Sequence, residues 1–99
     1  MPTRTRGRGV ALIDIAPMGD DVYRVTLSEG KTQSHHEVSV SAADVERYAS
    51  GSSAEALVRA SFVFLLERES KESILHSFHL PVVERYFPEY PDQIGSYLD

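Results

Sequence analysis

The five residues Phe62-Val63-Phe64-Leu65-Leu66 constrain this chain more than any other segment. Wound as a helix, they cover nearly the whole circumference, and Leu57, Val58 and Ala60 extend that coverage backwards. A helix that is apolar on all sides must be covered on more than one side. The run is far short of the roughly 20 apolar residues that a membrane-spanning helix needs. The pattern therefore predicts a central core helix over about 53–69, with Phe64 fully buried beside Leu57 and facing a sheet. The same apolar excess would also suit a homodimer interface.

The rest of the chain has to supply the cover. Its 99 residues are enough for one domain, which at this size buries roughly two-thirds of its unfolded surface. Hydrophobic residues make up 41% and charged residues 25%, an ordinary globular balance that argues against disorder of the whole chain. Residues 10–16 read as a first strand, and Pro17, Met18, Gly19 and Asp20 as the turn after it. Over 22–28, Tyr23, Val25 and Leu27 share one face while Arg24, Thr26 and Ser28 share the other. That alternation predicts a strand with one buried side. Glu29-Gly30-Lys31 supplies a hairpin turn. A third strand over 32–40 places His36, Val38 and Val40 inward, and His35 and Glu37 outward.

The pattern then turns helical. Ser41 with Asp44 forms a capping box for a helix over 42–50, which Gly51 ends at positive φ. Ser52 with Glu55 reads as a second capping box, at the start of the core helix. A short helix is expected over 71–77, and another over 81–87, with Pro81 in its first turn. Residues 71–87 thus have the proportions of a helical hairpin. A last turn follows over 91–98. The fold class predicted is α+β: a three-stranded antiparallel sheet (about 10–16, 22–28, 32–40) followed by four or five helices. Residues 10–99 form the single domain, and residues 1–9 a flexible basic arm.

Charge is distributed unevenly. Arg4, Arg6 and Arg8 lie in the first nine residues, while the remainder carries seven positive and fifteen negative side chains. An acidic body is poorly suited to broad contact with a phosphate backbone. A nucleic-acid or acidic-partner contact would have to run through the arm. The helix over 81–87 offers only Arg85, opposed by Glu84, which is too little for a DNA-reading helix.

Few residues suggest chemistry. The chain has no cysteine, which excludes disulfides, thiolate catalysis and cysteine-ligated zinc. It has no Gly-rich phosphate loop, nucleophile elbow or His-Glu-x-x-His. His35 and His36 point to opposite faces of a strand, and His76 and His79 match no established zinc spacing. No metal and no cofactor is expected. Glu67, Arg68, Glu69, Lys71 and Glu72 read as the solvated end of the core helix, laced with short-range ion pairs. Tyr86, Phe87, Tyr90 and Tyr97 read as an aromatic lid on the core. The residues that suit a protein interface are Phe62, Phe64, Leu66, Tyr86 and Tyr90.

The tract Arg59-Ala-Ser-Phe-Val-Phe-Leu-Leu-Glu-Arg-Glu-Ser-Lys-Glu-Ser-Ile-Leu-His-Ser-Phe, followed by Leu80-Pro-Val-Val-Glu-Arg-Tyr-Phe-Pro-Glu-Tyr90, resembles a group of small uncharacterised bacterial proteins. The segments Tyr23-Arg-Val-Thr-Leu and His36-Glu-Val-Ser-Val are similar to their N-terminal half. The resemblance spans most of 22–94. It implies a self-contained bacterial family and carries no activity, cofactor or site.

These readings converge on an expectation of a small, soluble, cytoplasmic, non-enzymatic interaction or regulatory module. It would act as a homo-oligomer or with a protein partner, and without a membrane. The alternative is a nucleic-acid-associated regulator, or the acidic member of a toxin-type pair, using the arginine arm. An enzyme ranks third. A concavity lined by several of His36, Glu37, His76 and His79 would favour it.

Overall fold

The computed structural model describes residues 12–98. Strands β1 (Leu12–Gly19), β2 (Val22–Glu29) and β3 (Thr32–Ser39) form an antiparallel meander. Helices α1 (Ala42–Ala49) and α2 (Ala54–Leu66) follow. After a 3-10 turn at Lys71–Ser73 comes a fourth strand, β4 (Ser77–His79). It lies parallel to β3, so the sheet is mixed, with order β1-β2-β3-β4. Helices α3 (Val82–Tyr86) and α4 (Tyr90–Gln93) and a final 3-10 turn at Ile94–Tyr97 complete the α+β fold. No helix among the described residues is long and apolar enough to cross a membrane.

The alternation of β2 and β3 sets the sheet's two faces. Ile15, Val25 and His36 lie in one inward row, and Tyr23, Val38 and Phe78 in the next. Val25, His36 and Val38 are fully buried. The opposite face carries Asp14, Thr26 and His35 in one row and Arg24, Glu37 and Ser77 in another.

Three local expectations are corrected. β1 does not stop before Pro17. It runs through Pro17 and Met18 to Gly19, with a register shift between Pro17 and Gly19. An edge strand tolerates proline because one side of its backbone needs no sheet partner. The turn falls instead on Asp20 and Asp21, both at positive φ (54° and 64°), the conformation of a two-residue hairpin loop that suits the right-handed twist of its strands. The core helix starts one residue later than the Ser52–Glu55 box implies: Ser53 is its cap, accepting from Ala56 N–H at 3.0 Å. The helix expected over 71–77 is replaced by the 3-10 turn, an extended link and β4. This removes the helical hairpin and gives the sheet its fourth, parallel strand. The Ser41–Asp44 box, in contrast, is present with both bonds, 3.1 and 2.9 Å.

α2 is the centre of the domain, covered from two sides as its composition requires. Towards the sheet, Phe62 packs against the rings of His36 and Phe78, with centroids 5.6 and 6.0 Å away. On the other side, Phe64 meets Phe87, Tyr90 and Tyr97 edge-on at 5.2–5.9 Å. Phe64 is fully buried, but it faces the C-terminal aromatics rather than the sheet. Phe62 holds the sheet-facing position. Successive inward residues on a helix are separated by 100° per position, so residues two apart point to nearly opposite sides. A buried hydrogen bond of 2.6 Å joins Ser61 to the Tyr90 hydroxyl, satisfying two polar groups that would otherwise be costly to enclose.

Gly51 has φ of +89° just beyond α1, and a Cβ there would meet nothing within 4 Å. The cost of substitution is therefore conformational and not steric. Gly51→Val should lower stability by about 1–2 kcal/mol, read as a lower urea midpoint with an unchanged slope. Phe64→Ala should cost about 3–5 kcal/mol by removing a buried ring and leaving a cavity. A domain of this kind holds only about 5–10 kcal/mol in total, so circular dichroism should show a largely or marginally unfolded chain. A variant with the parental midpoint would move the centre of the core elsewhere.

Candidate functional site

The C-terminal end of α2, the link into β4, and α3 leave an apolar groove of about 250 Å³ between them. Leu65, Ile74 and Val83 form its floor, all of them buried. Phe78 and Phe87 line it from the sheet side and the α3 side. Its rim is formed by Leu75 and Tyr86, which are 44% and 65% exposed. Two large apolar side chains thus lie in water beside an apolar hollow. Glu69 also lines the groove. Burial raises its carboxyl above the ordinary glutamate range, and no cation among the described residues forms a salt bridge with it.

The structure divides the expected interface residues. Phe62, Phe64 and Tyr90 are fully buried inside the domain, where they complete the core and present nothing to a partner. Leu66 is half-buried. Tyr86 alone is well exposed, and it belongs to the groove. The aromatic lid is confirmed for Phe87, Tyr90 and Tyr97, which close over Phe64. Leu75 is the groove residue that sequence reasoning missed. The helix expected over 71–77 gave it no distinct place; on the link into β4 it lies open. Arg4, Arg6 and Arg8, with the rest of the basic arm, lie outside the described residues.

The charged cluster at the end of α2 is less solvated than expected. Short-range pairs are present, Lys71–Glu72 at 2.6 Å and Arg68–Glu67 at 3.8 Å. The two cations also reach further. Arg68 lies over the Phe64 ring, 3.6 Å from its centroid, and donates to Glu89 and to Gln93 on the C-terminal segment. The buried Lys71 donates to Thr32 at 2.6 Å and lies 3.5 Å from Glu29.

A second concavity is lined by Arg24, His35, His36, Glu37, His76 and Ser77. It brings together three of the four residues whose clustering would favour an enzyme, but their nitrogens and carboxylate are mostly committed. His36 is only 1% exposed. Its Nδ1–H donates to the Leu75 carbonyl and its Nε2 accepts from the Ser34 hydroxyl, both at 2.8 Å. A carbonyl can only accept, which fixes this tautomer. His76 donates from Nδ1 to the His35 carbonyl and stacks on His36, with centroids 5.5 Å apart. Glu37 pairs with Arg24 at 3.8 Å. His79 bonds Ser39 instead. Among the described residues, no group of three His, Asp or Glu side chains is placed to hold a metal ion. His36 therefore acts as a clamp: it ties β3 to the segment that carries Leu75.

No family model, no curated protein and no solved structure matches this chain. The geometry alone has to carry a functional reading.

His36 makes that clamp sensitive to acid. Burial, and then the neighbouring His76 and His35, hold it below the ordinary histidine value of 6.5, against the bond to Leu75, which favours the protonated ring. A lowered folded-state value means that the unfolded chain takes up a proton the folded chain refuses. Stability from this group is thus fully present above pH 6.5 and is lost as pH falls below it, by at most about 1.4 kcal/mol per pH unit. Urea midpoints should fall between pH 7 and pH 5, and His36→Asn should flatten that slope. An equal slope in the variant would assign the acid sensitivity to other groups.

Proposed function

We propose that this chain is a non-enzymatic protein-interaction or regulatory module, and that the apolar groove at α2, β4 and α3 is its binding surface. The observation that carries this reading is the pairing of a hollow floored by Leu65, Ile74 and Val83 with the open rim residues Leu75 and Tyr86. Such a site rewards occupation by releasing water from apolar surface. Aromatic side chains that become buried on association are common anchors for protein partners. In the polar concavity, by comparison, the one deeply buried titratable group has both ring nitrogens occupied by its own protein. A catalytic base needs a nitrogen or oxygen within reach of substrate.

The rim can be altered without touching the core. Leu75→Asp and Tyr86→Ala should each change stability by less than about 1 kcal/mol, since both side chains are largely in water. Affinity capture from the source lysate with the full chain should retain a discrete protein, and both variants should lose it. Equal capture by parent and variants would remove the groove as the binding surface. A strict monomer that captures nothing would remove the interaction reading itself.

A further inference from the structure

The groove lies next to an unfinished sheet edge. β4 is the terminal strand on this side. Glu37 N–H donates to the His76 carbonyl at 2.7 Å, and Leu80 N–H donates to the Ser39 carbonyl at 2.9 Å. In a parallel ladder the residues of a strand turn their backbone groups alternately to either neighbour. His76, Phe78 and Leu80 therefore face β3, and the N–H and C=O groups of Ser77 and His79 face away from it. No backbone group of the described residues bonds them. The opposite edge is different: β1 carries Pro17 and a register shift, and Arg59 occupies the Ile13 carbonyl at 3.1 Å. Proline, bulges and side-chain cover are the usual means of blunting an edge. Among the described residues, β4 has none of these along its own three residues.

We propose that the occupant of the groove is an extended segment of another protein, added as a fifth strand along β4, with apolar side chains at alternate positions and a lysine or arginine that meets Glu69. This rests on the groove being the binding surface and adds the form and chemistry of what binds. The main chain of the segment pairs with Ser77 and His79, two donors and two acceptors that otherwise face water. Side chains of a strand alternate between faces, so every second one drops towards the floor beside Phe78. Pro81 follows two residues after His79 and offers no N–H, which limits the ladder to this short stretch and makes the apolar pockets necessary for affinity. Charge selects the partner. Glu69 lines the groove with no salt bridge to a cation among the described residues, and the chain as a whole is acidic, with net charge −5. A second copy docked groove to groove would bring carboxylate against carboxylate, whereas a basic segment is attracted.

The test pans a library of random ten-residue peptides on the full chain, synthesises the enriched consensus peptide and titrates it. Amide hydrogen exchange is followed with and without it. The expected consensus alternates apolar residues and carries lysine or arginine. Binding should weaken at least tenfold in Tyr86→Ala, and Glu69→Gln should remove most of its salt dependence. The Ser77 and His79 amides should exchange at least tenfold more slowly in the complex. Binding that depends on Tyr86 yet leaves those two amides unprotected would overturn strand addition while leaving the groove as the binding surface. Peptides indifferent to both Tyr86 and Leu75 would overturn both. A library that yields no consensus overturns the proposal. So does a chain that sediments as a dimer with Ser77 and His79 already protected, since the occupant would then be a second copy.

Discussion

Burial of α2 from two sides is the constraint on which the rest of the structure depends. Phe62 and Phe64 project from one helix into different layers, the first against His36 and Phe78 of the sheet and the second against the C-terminal aromatics. Each layer alone would leave half of an apolar helix in water. A meander of three strands cannot enclose it, so the segment after α2 has to return twice, once as β4 to widen the sheet and once as α3 and α4 to close the far side. The groove is the seam between these two returns. It is apolar because the end of α2 is apolar, and it is open because no third element among the described residues fills the seam.

Polar ties fix where those returns begin. Arg68 stacks on Phe64 and bonds to Glu89 and Gln93, so one guanidinium anchors the end of α2 to the C-terminal segment. Lys71 reaches Thr32, Glu72 and Glu29, which ties the next turn to the β2–β3 hairpin. A buried ammonium costs stability when it lacks partners and little when they are complete. Here each cation is paired with oxygens from a distant part of the chain, and the geometry of the chain reversal follows from those pairings. An arginine and a lysine that look like a solvated helix end in sequence are structural because of where their carboxylates and hydroxyls are found.

The strong periodic signals were legible in the sequence. The alternation of β2, the box at Ser41 and Asp44, the positive φ of Gly51 and the all-round apolar character of α2 each rest on local chemistry. β4 was not legible, for a physical reason. Ile74 and Phe78 are four apart, which fits one face of a helix, but Ile74, Phe78 and Leu80 also fit a period of two. Three residues are too few to decide between them. What decides is the open edge of β3, some forty positions earlier, and no local pattern reports that. The candidate site was hidden for the same reason. Tyr86 was marked by its chemistry, Leu75 acquired its exposure only from β4, and the interface reading of Phe62, Phe64 and Tyr90 failed because strongly apolar residues serve a core as readily as a surface.

The separation between β3 and β4 also orders events in time. The β1–β2–β3 meander forms from neighbours in sequence, so its loops close quickly and at small entropic cost. β4 pairs with residues forty positions away, and closing the chain over so long a span costs more entropy and is slower. β4 is also the shortest strand and lies at the sheet edge, the features that favour local opening in a native state. An occupant that bonds to β4 stabilises only the closed form. It would therefore suppress that opening and tighten the whole sheet edge, so ligation and local folding of this corner are thermodynamically one equilibrium.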